Sequence, residues 1–189
     1  ASVRISNAIS LEEYKSDIEF LNNKGLADRI NDFPNLANIE QHLSYYTYTI
    51  TIDLEKIGID GNIELDNSIK AQRVKELLEI VKVLNREIRG REENLSPVFV
   101  IGGVYKLNSP FFLGRIKLIG KDGEFVLDTG MLKDTVTLKL GDKSIENDTS
   151  VGIIKNSLKN EQEIKNEFNT MSIQEFFEDL ENKVDEYYM

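Results

Sequence analysis

Alternation of apolar and polar positions is clearest over residues 45–54 (YYTYTITIDL). Even-numbered positions from Tyr46 to Leu54 carry aromatic or aliphatic side chains, whereas the odd-numbered positions are mostly threonine. A period of two with β-branched and aromatic residues predicts a strand with one buried and one open face. Residues 3–11 predict a second, shorter strand, and the apolar run over 98–106 predicts a third.

A helical period dominates residues 68–89, where apolar side chains recur three and four positions apart. Ser68 is the predicted N-terminal cap, and Gly90 stands where a left-handed residue would end this helix. Residues 160–168 and 172–188 predict two acidic helices. The second would begin with a capping box, because Ser172 is followed three residues later by Glu175, and its apolar stripe includes Phe176 and Phe177.

The remaining segments complete an α+β order of strands, helix, strands and helices. Residues 112–119, 124–128 and 135–140 predict an antiparallel meander with a turn over 120–123. Residues 12–41 predict a long polar loop. We therefore expect the 68–89 helix to pack on one side of an antiparallel sheet.

Composition excludes several chemistries. The 189 residues contain no cysteine and a single histidine, so thiol catalysis, Cys–Zn sites and multi-histidine metal sites are excluded for this chain. No run of about 18 apolar residues could span a bilayer, and no signal-peptide pattern opens the chain. We expect a soluble cytoplasmic protein that needs no cofactor or metal and does not associate with membranes.

Charge is distributed unevenly along the chain. The net charge is −10, but residues 161–189 hold nine acids and only two bases. Residues 70–121 hold eleven bases and five acids, an excess of six positive charges. A basic middle beside an acidic tail is one pattern that polyanion-binding proteins show, but on charge alone the favoured interpretation is solvated Lys and Arg on ordinary helix and strand surfaces.

Gly102 and Gly103 interrupt the 98–106 strand. Two adjacent glycines in a strand indicate a bulge or a close backbone approach, either by another strand or by a nucleic-acid backbone. Arg89 and Arg91, with Asn94, follow the predicted helix and could clamp phosphate, or could simply match the negative end of the helix dipole.

His42 precedes the 45–54 strand among serine and tyrosine residues, a mixture that suits stacking on the bases of single-stranded RNA, although a lone histidine is more often structural. Among the carboxylates, Asp53 and Asp60 are the candidates for a metal-dependent nuclease, but neither stands in a recognisable metal-binding motif.

Four ordered runs carry a more specific signal: VRISNAISLE (3–12), QHLSYYTYTITIDLEKIG (41–58), GREENLSPVFVIGGVY (90–105) and PFFLGRIKL (110–118). They resemble the DevR family of CRISPR-associated proteins, the backbone subunit that binds the guide RNA (crRNA) in type I Cascade, closest to subtype I-B. A weaker similarity extends over residues 149–152 and the C-terminal helix.

The resemblance implies an RRM-like, ferredoxin-like sheet with inserted loops, in a non-catalytic subunit of an antiviral effector complex. Such subunits polymerise along the crRNA, so the implied partners are crRNA, target DNA through the guide, further copies of the chain and other Cascade subunits. The family name also implies an alternative, a DNA-binding negative autoregulator of the CRISPR operon. A carboxylate–metal nuclease is a further alternative.

By position, the resemblance implies domains and contact residues. Residues 1–158 would form the RRM-like core, with 12–41 as an insertion loop, and 159–189 an acidic helical tail packed on it. The family's first strand and helix would precede Val3, so we expect the chain to be an N-terminally incomplete fragment. The implied RNA-contacting residues are Arg4, Ser6, Asn7, His42, Arg89, Arg91, Asn94, Gly102, Gly103 and Lys106.

Overall fold

The computed structural model describes the whole chain except residues 16, 32, 34, 35, 89, 122 and 123. The described residues form a mixed α+β structure with five α-helices and small, mainly antiparallel sheets. They divide into two compact units, a larger one of residues 1–7 and 48–189 and a smaller one of residues 8–47.

The elements follow one another in this order along the chain. The strands are β1 (Val3–Ile5), β2 (Ile9–Ser10), β3 (Asp17–Asn22), β4 (Leu36–Gln41), β5 (Tyr46–Thr47), β6 (Ile50–Ile52), β7 (Ile59–Asp60), β8 (Ile63–Glu64), β9 (Asn85–Ile88), β10 (Arg91–Asn94), β11 (Phe99–Gly103), β12 (Leu118–Lys121), β13 (Glu124–Leu127), β14 (Lys139–Leu140), β15 (Lys143–Ser144), β16 (Thr149–Ile153) and β17 (Thr170–Ser172). The helices are α1 (Lys24–Ile30), α2 (Asn67–Lys82), α3 (Thr129–Val136), α4 (Glu161–Glu167) and α5 (Ile173–Tyr188).

Residues 12–41 are predicted to form a loop, but in the smaller unit this segment contains two strands, β3 and β4, and the helix α1. The loop prediction is therefore wrong. β3 and β4 form an antiparallel pair in register from Asp17↔Gln41 to Asn22↔Leu36, with α1 between them. Asn31 ends α1 in the left-handed conformation at φ 56°. Asparagine tolerates this conformation, so Asn31 can serve as the C-cap of α1.

The core of the larger unit is organised around β16, whose five residues are all buried. β16 pairs antiparallel with β11 and parallel with β17. Because side chains alternate along a strand, Val151 and Ile153 enter one apolar cluster with Leu132 and Ile164. Gly152, between them, faces α5 on the opposite side of the sheet.

α2 and α5 pack against each other over the second apolar cluster. Val74 and Leu78 of α2 meet Phe177 and Val184 of α5 in this cluster. The predicted helix over 172–188 and its capping box are confirmed, since Ser172 Oγ accepts a hydrogen bond from the Glu175 backbone N–H and the Glu175 carboxylate accepts one from the Ser172 backbone N–H.

Both predicted ends of the long helix are wrong. At its N-terminus, Asp66 rather than Ser68 is the N-cap residue. The long helix ends at Lys82 rather than residue 89, and the chain continues into the β9–β10 hairpin, whose base closes when Leu95 N–H donates to the Leu84 carbonyl. Gly90 has the predicted positive φ of 73°, but it serves the turn of this hairpin rather than a helix end.

The predicted meander is correct only in part. β12 and β13 pair antiparallel as predicted, but β12 begins at Leu118 rather than at residue 112 and includes residues 120 and 121 of the predicted turn. The other two residues of that turn, 122 and 123, lie outside the described residues. The following segment forms α3, since the Asp128 carboxylate accepts a hydrogen bond from the Gly130 N–H and caps a helix. The strand predicted over 135–140 is therefore reduced to β14.

In the described part of the chain, no helix combines the length and the apolar character that crossing a membrane requires.

Substitution of Gly152 by alanine tests how tightly α5 packs on β16. An added Cβ would lie 2.7 Å from Val100 Cγ1 and 2.8 Å from Phe176 Cβ, so the helix or the strand must shift. We expect the free energy of unfolding in urea to fall by about 2 kcal/mol. The control is Gly120→Ala in β12, where an added Cβ meets nothing within 4 Å, and its change should stay within about 0.5 kcal/mol. Equal effects would contradict this packing.

Candidate nucleic-acid interface

The first predicted RNA-contacting group lies on and just after β1. Arg4 is exposed and pairs across the ladder with Thr51 of β6. Ser6 exchanges two hydrogen bonds with Thr49, because its N–H donates to the Thr49 carbonyl and its hydroxyl oxygen accepts from the Thr49 N–H, each at 2.9 Å. Ser6 therefore extends the hydrogen bonding between the β1 and β6 segments. Asn7, the next residue, is exposed.

Asp53, immediately after β6, connects this group to the segment that follows β11. The Lys56 ammonium, hydrogen-bonded to Asp53, holds the pKa of that carboxyl below its usual value, with further help from a hydrogen bond to Asn108 and from the charge of Arg4. Only 11% of the Asp53 side chain is exposed. Lys56 and Asn108 did not figure among the predicted residues, and only the three-residue spacing of Asp53 and Lys56 hinted at their pairing.

Two members of the second predicted group, Arg91 and Asn94, lie on β10 rather than at a helix end. Arg91 begins β10 and is exposed, whereas Asn94 ends it and accepts a hydrogen bond from the Ser96 N–H at 3.0 Å. Arg89 lies outside the described residues. The helix-dipole explanation for these cations is wrong, because α2 ends at Lys82.

The Gly102–Gly103 element has a structural explanation in this chain. A Cβ on Gly103 would lie 1.8 Å from the Asp148 carbonyl oxygen, so that carbonyl makes the close backbone approach. A Cβ on Gly102 would lie 3.8 Å from Phe176 Cζ, an ordinary contact. Of the two alternatives predicted for the glycine pair, approach by the chain's own backbone therefore accounts for Gly103. Lys106, three residues later, is exposed.

His42 belongs to the smaller unit, where both of its ring nitrogens have partners. Nδ1 lies 3.0 Å from the Lys15 carbonyl oxygen and Nε2 lies 3.1 Å from the Ser10 hydroxyl. The ring centroid is 5.2 Å from that of Tyr14 and 6.2 Å from that of Tyr46. The imidazole thus ties β2 to the segment before β5, and its role toward RNA stays a prediction.

The positive excess of residues 70–121 is partly neutralised by ion pairs. Four of its cations are bound to carboxylates, in the pairs Lys70–Glu64, Lys75–Asp185, Lys82–Glu79 and Arg86–Glu93. Two of these carboxylates, Glu64 and Asp185, lie outside the segment. Among the described residues, the exposed cations of this segment that make no ion pair are Arg73, Lys106, Arg115 and Lys117.

The carboxylates considered for a nuclease do not converge. Asp53 is engaged by Lys56, whereas Asp60 is exposed on the β7–β8 hairpin. In the part of the chain that the structure describes, no three histidine, aspartate or glutamate side chains come together as a metal-binding group.

Comparison with known proteins gives one match. Residues 1–121 match the model of a protein family described as CRISPR-associated negative auto-regulator DevR/Csa2. No curated protein matches the chain, and no solved structure matches it.

Substitutions of the two adjacent glycines separate their structural roles. Gly103→Ala should lower the free energy of unfolding by about 3 kcal/mol, because the added methyl group collides with the Asp148 backbone. Gly102→Ala is the matched control, and its change should stay within about 0.5 kcal/mol. Urea unfolding followed by circular dichroism measures both. A Gly103→Ala protein as stable as the wild type would contradict the close approach.

Proposed function

The chain belongs to the DevR/Csa2 family of CRISPR-associated proteins, whose model matches residues 1–121, and on this premise we propose that it is a guide-RNA-binding backbone subunit of a type I effector complex. In this role the chain is not an enzyme. It polymerises along crRNA beside further copies and other subunits, presents the guide to target DNA, and has a modified RRM-like core. The family match is the observation that carries the proposal.

The distribution of exposed cations supports a role in binding a polyanion. Arg4, Arg91 and Lys106 are exposed and lie on or beside different strands of the larger unit. Lys106 and Asn108 lie in the segment after β11. Asn108 forms a hydrogen bond with Asp53, and the charge of Arg4 also lowers the pKa of this carboxyl. Cations distributed along a surface suit a flexible phosphate backbone, which is bound mainly through charge and with little regard to sequence.

A DNA-binding autoregulator is the second candidate, and the description of the family as a negative auto-regulator favours it. Many such proteins place a basic helix in the major groove. Among the helices of the described residues, α2 is the long one that carries several bases, but it packs on α5, and its Lys70, Lys75 and Lys82 are held in ion pairs. This engagement of α2 supports the RNA-binding proposal over promoter recognition.

Fluorescence anisotropy with labelled single-stranded RNA, titrated at several salt concentrations, tests the proposal. We expect binding that strengthens with RNA length, weakens steeply with salt, and resists competition by duplex DNA, including the promoter of the CRISPR operon. Preferential competition by that promoter would favour the autoregulator. RNA cleavage that requires Mg²⁺ and is lost in Asp53→Asn would favour the nuclease alternative.

Charge reversal at Arg91 and Lys106 tests the assignment of residues. If each contacts one phosphate, Arg91→Glu with Lys106→Glu should reduce the magnitude of the log Kd against log salt slope by about 1.4, because each contact contributes about 0.7 on a single strand. Lys139→Glu is the control, since Lys139 is exposed on β14, outside the predicted set. An unchanged slope in the double variant would show that these two cations do not contact RNA.

A further inference from the structure

A polar pocket of about 350 Å³ lies among α3, α4, β16 and the short 3-10 helix over Glu146–Asp148. It uses none of the residues predicted to contact RNA. Two carboxylates, two amides, one hydroxyl and one aromatic ring contribute to its lining: Glu146, Glu167, Asn147, Asn169, Thr149 and Phe168.

The wall formed by residues 146–149 is held rigidly. Asp148 can approach β11 so closely only because Gly103 has no side chain. The Thr149 hydroxyl donates a hydrogen bond to the Ile145 carbonyl at 2.7 Å. Burial raises the pKa of Tyr105 to about 12, so its hydroxyl stays protonated and donates to Thr149 Oγ1 at 3.0 Å. This wall is therefore preformed rather than shaped by a ligand.

The opposite wall, at the end of α4, is also anchored to the sheet. The Asn169 carbonyl accepts a hydrogen bond from the Val151 N–H at 2.8 Å, and Asn169 Nδ2 donates to Ser150 Oγ at 3.3 Å. These contacts fix the position of Glu167 and Phe168, which immediately precede Asn169. Both walls are thus built on the buried strand β16.

The carboxylate of Glu167, a residue that lines this pocket, is incompletely satisfied. Its Oε1 lies 3.3 Å from Lys133 Nζ, but its Oε2 is buried and has no hydrogen-bond partner among the described residues. A carboxylate oxygen removed from water without a donor is destabilising, so a donor supplied from outside the chain would be bound favourably. Glu146 adds a second negative charge, and it is exposed.

We propose that this pocket binds the guanidinium group of an arginine-like cation. A guanidinium presents a planar fork of N–H donors that matches a carboxylate, and it also stacks on aromatic rings such as that of Phe168. The amide oxygens of the asparagines offer further acceptors. The source of the group is either an arginine side chain of a protein partner or a free small molecule. This inference does not depend on the proposed RNA-binding function.

Titration of the ¹⁵N-labelled chain with arginine-containing probes tests the inference. The probes are L-argininamide and the capped peptide acetyl-Gly-Arg-Gly-amide, each paired with its citrulline counterpart, which has nearly the same shape but no charge. We expect saturable shifts in the NMR signals of the Asn147 and Asn169 side-chain amides with the arginine probes. Binding of both probes would indicate a protein arginine as the source, whereas binding of argininamide alone would indicate a free molecule.

Isosteric substitutions identify the groups responsible. Glu167→Gln should weaken probe binding by about tenfold or more, because it removes the charge that faces the guanidinium. Glu178→Gln is the control, since Glu178 is exposed on α5 and does not line the pocket. If Glu167→Gln fails to give a cooperative thermal transition, Glu146→Gln, at an exposed position, takes its place and should also weaken binding.

Three results would overturn the inference. The first is the absence of saturable shifts with either arginine probe at millimolar concentrations. The second is citrulline binding as strong as arginine binding, which would show that charge plays no part. The third is a folded Glu167→Gln variant that binds the probes as the wild type does, because the unsatisfied carboxylate would then not be the group that recognises them.

Discussion

The contact of Phe176 with the backbone of β11 and β16 determines how closely α5 can approach the sheet. Gly152 leaves no room for a methyl group between Val100 and Phe176, and Gly102 lies beneath the far end of the same ring. The fully buried Phe176 can therefore rest directly on the strands. α2 packs on α5, and β1 and β6 contribute Val3 and Ile52 to the same cluster, so these elements all depend on that close approach.

Sequence patterns predicted the elements whose signals are local and strong. α5 was predicted with its capping box because Ser172 and Glu175 interact across a single turn. The end of α2 was predicted wrongly, since apolar residues continue at helical spacing beyond Lys82 while the backbone turns into a hairpin. The spacing of apolar residues cannot reveal where the helix gives way to a hairpin, because Leu84 and Ile88 fit the apolar pattern of either structure.

Prediction of the candidate site from the sequence meets a similar limit. The close backbone approach predicted for the glycine pair is confirmed at Gly103, but its partner, Asp148, lies 45 residues away in the sequence, at a distance that no local pattern spans. The positive excess of the middle segment was visible in composition. The partial neutralisation of this charge by ion pairs could not be seen in the composition, because Asp185 reaches Lys75 only through the packing of α5 on α2. Net charge along a segment therefore overstates the charge available to a ligand.

The position of Tyr188 has a consequence for the order in which the elements of the larger unit can fold during synthesis. Its hydroxyl donates to the Leu54 carbonyl at 2.6 Å, and its own carbonyl accepts from Asn67 Nδ2 at 2.8 Å, contacts that span 134 and 121 residues. During synthesis, α2 leaves the ribosome well before the helix that covers its apolar face. The cluster shared by α2 and α5 stays exposed until residue 188 has emerged, so chaperone binding in that interval would protect the nascent chain.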